Sequence, residues 1–318
     1  MEGIIKMYQG DLYNHDQITA TRLMKNGLIM EYNLLMPHEI KLALDMGAVV
    51  SSSVSGGKDS QAQHLELAEL CHTTGNLLEI VHADLGRAEW PQSMPMCQQL
   101  AANSGLPLQT ITRPQGDLIA RMKQRLLKVQ GTGKPFWPSS ANRYCTGEMK
   151  RNQIDKLLRK HQIIISVQGL RAEESKARSK KQPVELRTQI CSQALKKLSP
   201  LEALKQWRPG QRVALNWYPL LGWTEAEVYA RCGHSITDRN NRRELYKAGQ
   251  KDEALTGWRM HPAYVFGNQR VSCVFCVLGS INDLKVGATH HPRLLRCYRE
   301  MEIKGNATFK NNWGLIEL

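Results

Sequence analysis

No stretch of the chain approaches the roughly 20 consecutive apolar residues of a membrane-spanning helix, so neither a helical membrane protein nor a membrane partner is expected. The opening residues, Met1-Glu2-Gly3-Ile4-Ile5-Lys6, lack the apolar core of an export signal, which predicts a cytoplasmic location. Without export, the eight cysteines are expected to be thiols or metal ligands and not disulfides. Acidic residues are also scarce, 29 against 43 Lys and Arg, a formal charge of +14 that favours an anionic partner. The shortage is local: residues 143–212 hold 17 basic and 6 acidic side chains. Phosphate contacts with counterion release would use such a stretch, and a nucleic acid is the expected partner.

The remaining composition, 42% hydrophobic and 23% charged, is that of a globular chain, and 318 residues suffice for one large core with an appendage. The centre of the sequence's logic is Ser53-Val54-Ser55-Gly56-Gly57-Lys58-Asp59-Ser60, between the apolar run Ala48-Val49-Val50 and a helical pattern over 61–70. A strand ending in paired glycines and turning into a helix converges backbone N–H groups on an electropositive helix start, which suits phosphate. It is not a Walker A loop, which needs a glycine four residues ahead of Gly-Lys-Ser/Thr.

Further along, a helix is predicted over 37–46, strands over 77–83, 108–112 and 162–167, and helices over 95–104, 117–129 and 143–161. This alternation predicts an α/β fold with a doubly wound, mostly parallel sheet. Ligands sit at the carboxyl ends of such strands, which places Asp84, and Gly169-Leu170-Arg171 through Arg178, beside the glycine loop. A short amphipathic helix is expected over 18–30, and 179–212, which loses apolar periodicity, reads as a mobile basic lid or a surface insertion. Thr224 is expected to cap a helix with Glu225 and Glu227 in its first turn, and Trp217 and Trp223 to serve packing.

Cys273-x-x-Cys276 can hold one metal centre, zinc or iron–sulfur, or act as a redox dithiol. Cys145, at a helix start beside Arg143, is expected to have a lowered pKa and to supply a third ligand; Cys297 is the candidate fourth. Burial is expected for Cys71, Cys97, Cys191 and Cys232. Three cysteines on a four-iron cluster would leave one iron open to carry sulfur.

Four motifs stand in order: Ser55-Gly-Gly-Lys-Asp-Ser60; Arg143-Tyr-Cys-Thr146 with Lys150; Gly169-x-Arg-x-x-Glu-Ser-x-x-Arg178; and Pro219-Leu-x-x-Trp-Thr-Glu-Ala-Glu-Val228. Together they resemble the PAPS-reductase-like family of PP-loop ATP pyrophosphatases, over roughly residues 37–304. The chain departs from assimilatory reductases in having no C-terminal cysteine motif, and from APS-reductase-type enzymes in having Tyr144-Cys145 where they carry two cysteines. It is more similar to the ATP-pyrophosphatase subunit of DNA phosphorothioation systems and related phage and mobile-element proteins.

The resemblance implies a Rossmann-like fold divided into an arm (1–36), a PP-loop domain (37–230, basic insertion about 179–212) and a C-terminal region with the C-x-x-C pair (231–318). It implies ATP held by Ser53, Ser55, Gly56, Gly57, Lys58, Asp59 and Ser60, with Asp84 near the nucleotide or its Mg²⁺, and Gly169, Arg171 and Arg178 on the phosphates. Catalysis would rest on Lys58, Asp59, Arg171 and Cys145, and a 4Fe-4S cluster on Cys145, Cys273, Cys276 and Cys297. DNA is the implied acceptor, with a cysteine desulfurase and other modification subunits as partners and a homodimer as an option. The alternatives are tRNA thiolation, an enzyme of small sulfonucleotides, and a non-catalytic nucleotide-binding DNA-associated regulator.

Overall fold

The computed structural model describes residues 15–23, 29–310 and 312–318. Its centre is set by strands that are apolar on both faces. Ile163, Ile165 and Val167 of β6 (Ile163–Val167) join Val213, Leu215 and Trp217 of β8 (Val213–Trp217) in one core cluster, while Ile164 and Ala214 join another. Apolar residues on both faces, with Ser166 and Asn216 the exceptions, are what strands covered by helices on both sides require.

Six strands form the sheet in the order β5-β4-β3-β6-β8-β7, completed by β3 (Val49–Val54), β4 (Leu78–Ala83), β5 (Leu108–Ile111) and β7 (Val184–Leu186). All pairings are parallel except β7 with β8. One cluster packs the sheet against α1 (His38–Asp45), α2 (Lys58–Thr74) and α7 (Pro200–Gln206); on the other, Ile154 and Leu158 of α6 (Asn152–Leu158) cover Val81, Ile164 and Ala214. This is the expected doubly wound α/β architecture. From β3 the chain goes to β4 on one side and β6 lies on the other, so the order reverses between β3 and β6, and the crevice falls at their carboxyl ends.

The connecting helices are α3 (Ser93–Asn103) and α4 (Leu118–Val129), the latter capped by Asp117, which accepts from Ala120 N at 2.8 Å. Beyond β8, α8 (Glu225–Arg231) starts with the expected Thr224 cap in a reciprocal box with Glu227. The charged α9 (Ile236–Lys247) buries no residue, and α10 (Lys251–Leu255), α11 (Ala263–Phe266), α12 (Ile281–His290) and α13 (Pro292–Gly305) complete the chain's helical end. No helix among the described residues is long and apolar enough to cross a membrane.

Two expectations are corrected and a third is refined. The helix over 18–30 is instead part of an antiparallel pair, β1 (His15–Leu23) and β2 (Ile29–Pro37), with 24–28, like the start of the arm at 1–14, outside the described residues. Tertiary pairing overrides a weak helical period there. Residues 179–212 are not a lid. They hold the edge strand β7 and α7, and Arg187, 4% exposed, is tied to Asp155 (2.6 Å), Asn216 (2.8 Å) and Ser166 (3.2 Å). A buried guanidinium so satisfied anchors the segment to the sheet, and a charge count could not show it. The helix over 143–161 is present as a continuous run over 144–158, but a π-helical turn at Gly147–Arg151 interrupts it between α5 (Tyr144–Thr146) and α6.

Candidate active site

Gly56 follows β3 with φ +75°, and a Cβ there would stand 3.0 Å from Ser93 Cα, so glycine serves both the turn and the close approach of α3. Ser60 closes the loop from within: its hydroxyl donates to Gly57 O (2.9 Å) and accepts from Ser55 N (3.1 Å). Ser53 sits one turn back, on β3, paired with Val81. At the start of α2, Lys58 N donates to the buried Tyr264 Oη (3.0 Å), and the 2%-exposed Lys58 ammonium bonds Asp59 (3.0 Å) with Glu225 at 3.6 Å.

Gly169, after β6, fits where a Cβ would lie 2.6 Å from Asp59 O. That contact locks the second loop onto the first, and it delivers Arg171, whose Nε donates to Asp59 Oδ1 at 2.5 Å. Burial works to raise the Asp59 pKa, but Lys58 and Arg171 outweigh it and hold the carboxyl below its usual range. Arg171 also pairs with Glu173, Arg178 with Glu174, and Arg270 Nη2 donates to Glu174 O at 2.8 Å, all around one 3-10 turn at Ala172–Glu174. Burial and then the charges of Arg270, Arg143 and Arg171 lower Arg178, against the opposing charge of Asp59. Guanidinium groups crowded beside a glycine loop suit a polyphosphate.

The cysteine segment leaves from this loop. Val271 O lies 3.6 Å from where a Gly57 Cβ would stand, and two residues on, Cys273 bridges Glu89 as an isolated antiparallel pair, with Val274 N donating to Ala88 O at 2.9 Å. Gly279 N then donates to Cys276 O (2.8 Å), turning the segment back. Cys145, Cys273 and Cys276 share one electrostatic neighbourhood with Lys150. Burial would lower Lys150, yet Glu89 and these three cysteines raise it. Cys145 corrects an expectation: burial raises its pKa, with the neighbouring Cys276 adding to it, and together they outweigh the Thr146 hydrogen bond and the charges of Arg143 and Lys150. Cys297, on α13, lines a separate cavity of about 770 Å³ together with Asp84, Arg87 and Glu89. The other four cysteines are buried as expected, and so are Trp217 and Trp223.

Tyr298 tests whether a sulfur-rich group fits. Its hydroxyl is buried without a hydrogen-bond partner, and after burial the charges that raise its pKa most are those of Cys273, Cys276 and Cys297. An O–H donor facing cysteines in an apolar wall fits an iron–sulfur cluster, whose sulfurs accept such bonds. Asp84 accepts from Gly86 N (2.7 Å) and does not touch Lys58; its carboxylate lies with His82 and Glu89, three ligand atoms within 4.8 Å of one another.

Sequence reasoning had no role for Tyr264, Arg270, Tyr298, His82 or Glu89. The first three lie more than 200 residues beyond the loop in sequence, where only folding brings them near. Among known families, the chain matches the phosphoadenosine phosphosulfate reductase domain over residues 49–276. A search of curated proteins found no match.

Proposed function

We propose a function from one premise: the chain belongs to the phosphoadenosine phosphosulfate reductase domain family, whose members are enzymes acting on nucleotides. Its reaction is ATP-dependent sulfur transfer to a nucleic acid, with a DNA backbone phosphate as acceptor. The observation that carries this reading is contiguity: Gly57 of the phosphate loop abuts Val271, and Cys273 follows two residues later. A site that only bound nucleotide would have no use for thiols beside its phosphates.

Lys58, Arg171, Arg178 and Arg270 would hold the triphosphate, with Asp59 orienting the first two through its bonds to both. An acceptor oxygen attacks the α-phosphorus, the bond to the β-phosphate oxygen breaks, and pyrophosphate leaves with its charge on the guanidinium groups. The acceptor is then an adenylate, and sulfur displaces AMP from it. Positioning and charge stabilisation do most of this work, which matches a site made of buried, mutually braced cations. Cys145, Cys273 and Cys276 would hold an iron–sulfur cluster, which when bound supplies or relays the sulfur. Cys297 is a less direct candidate ligand, as it faces the neighbouring cavity. A cysteine desulfurase would recharge the donor with persulfide sulfur, which a two-electron reductant must bring to the sulfide level before it displaces AMP.

Anaerobic incubation with ATP, DNA and a sulfide source should release AMP and pyrophosphate, and nucleoside mass spectrometry should find phosphorothioate dinucleotides. Thiolated tRNA bases in their place would move the acceptor to tRNA. No pyrophosphate with any acceptor would leave a nucleotide-binding regulator.

A further inference from the structure

His82, the fifth residue of β4, is 1% exposed and belongs to no step above. Its Nδ1 lies 3.0 Å from the carbonyl of Val54, the last residue of β3. A carbonyl only accepts, so Nδ1 carries the proton and donates. Cys97 Sγ is a weaker neighbour of the same nitrogen at 3.5 Å. The other nitrogen, Nε2, is buried and has no hydrogen-bond partner, although Glu89 Oε2 is only 3.2 Å away. That distance is an ion pair's when the ring is protonated, and an ion bound at Nε2 would take the place of that proton. Asp84 completes a trio whose ligand atoms all fall within 4.8 Å.

Two ligands bound at about 2.1 Å on one ion, with the angles of tetrahedral or octahedral coordination, stand about 3.0–3.4 Å apart. The Nε2 to Oε2 separation has that value. Metal-ligating histidines also fix their tautomer by donating the other N–H to a carbonyl, as His82 does to Val54. Asp84 Oδ1 is held by Gly86 N, which leaves Oδ2 for a ligand. Lys150 Nζ lies 3.9 Å from Glu89 Oε1, the oxygen of that carboxylate that does not face His82.

We infer that His82, Asp84 and Glu89 bind a divalent transition cation, of the Mn²⁺ or Fe²⁺ type, at the wall of the 770 Å³ cavity. One imidazole with two carboxylates is a mixed donor set that Mg²⁺ uses poorly and that manganese and iron accept. Asp84 and Glu89 line the cavity, so positions on the ion not taken by protein face it and are open to a phosphate or a water. The site adjoins the cysteines, since Glu89 bridges Cys273 and Cys297 lines the same cavity, but its donor atoms include no thiol and it does not rest on the ATP reading. It does touch the phosphate loop mechanically, because His82 holds the carbonyl just before Ser55.

Mn²⁺ is the probe, since it has little affinity for thiolates. Full-length protein, stripped of metal and without nucleotide, is titrated with MnCl₂ while free Mn²⁺ is read by electron paramagnetic resonance. One ion per chain should bind, the Cys273→Ser variant should bind it equally, and Asp84→Asn and Glu89→Gln should each weaken it at least tenfold. His82→Gln tests the nitrogen ligand, and the two carboxylate variants decide the matter if that variant does not fold. Absence of stoichiometric binding by the wild type, or binding unchanged in folded Asp84→Asn and Glu89→Gln, would overturn the assignment. Loss of binding in Cys273→Ser would place the ion at the thiols and overturn it equally.

Discussion

Replacing Arg171 by Met tests how the two loops are joined. The guanidinium is 4% exposed and bonds Asp59, whose side chain is 19% exposed and whose other oxygen meets Lys58 at 3.0 Å. Removing one partner of a buried ion pair costs about 3–5 kcal/mol, mostly because the remaining charge is left uncompensated. Here Lys58 still serves Asp59, so the low end, about 3 kcal/mol, is expected. In an Asp59→Asn background the carboxylate that loses Arg171 is Glu173, 45% exposed and served by water, so the same change should cost about 1 kcal/mol, a coupling of about 2 kcal/mol. Urea denaturation of the four proteins at pH 7 measures it. The acid limb adds a second reading. Asp59 is depressed in the folded state, so its contribution is present above the unfolded carboxyl range, near pH 4, and is lost as pH falls through the folded value. Without Arg171 that loss should be smaller and complete at higher pH. Equal costs in both backgrounds would refute the bracing of Asp59 by Arg171.

Gly169→Ala puts a methyl 2.6 Å from Asp59 O, and overpacking against backbone should cost about 1–3 kcal/mol, lowering Tm by several degrees in a scanning calorimeter, with nucleotide affinity falling too. His64 and His261 are fully buried, and burial lowers both to about 4. Each is then neutral in the fold but protonated when unfolded below about pH 6.5, so stability should be full above that pH and fall by up to about 1.4 kcal/mol per unit per histidine down to pH 4; pH-dependent denaturation shows whether it does. Anaerobic reconstitution should load iron and sulfide into wild type and leave Cys145→Ser, Cys273→Ser and Cys276→Ser depleted, as metal analysis would report.

The parts of this fold that the sequence made legible are those written locally. Gln162 to Val167 could only be a doubly covered strand, Thr224 and Glu227 are three residues apart as a capping box demands, and the paired glycines of 56–57 sit where the strand must turn. Arg171 was legible because a glycine loop at a strand end points to the crevice. What stayed hidden depends on distant partners. The basic run around Arg187 looked like a solvated surface, since nothing nearby in sequence reveals Asp155 and Asn216 as its buried partners. Cys145 misled because a helix start beside an arginine can be read locally, whereas the burial that raises the thiol's pKa depends on distant packing. Asp84 was legible from its place at a strand's end, but Tyr264, Tyr298, His82 and Glu89 were not; their roles come from orphaned or shared polar atoms that exist only once the chain is packed.

The central claim is a division of labour, in which the loop at Ser55–Ser60 cleaves the α/β-phosphate bond and the cysteine segment handles sulfur. Lys58→Ala, assayed anaerobically after cluster reconstitution, tests it most directly by counting iron and pyrophosphate in the same sample. The account predicts iron content equal to wild type and pyrophosphate release reduced at least a hundredfold. Loss of iron together with activity, or pyrophosphate release at the wild-type rate, would contradict it.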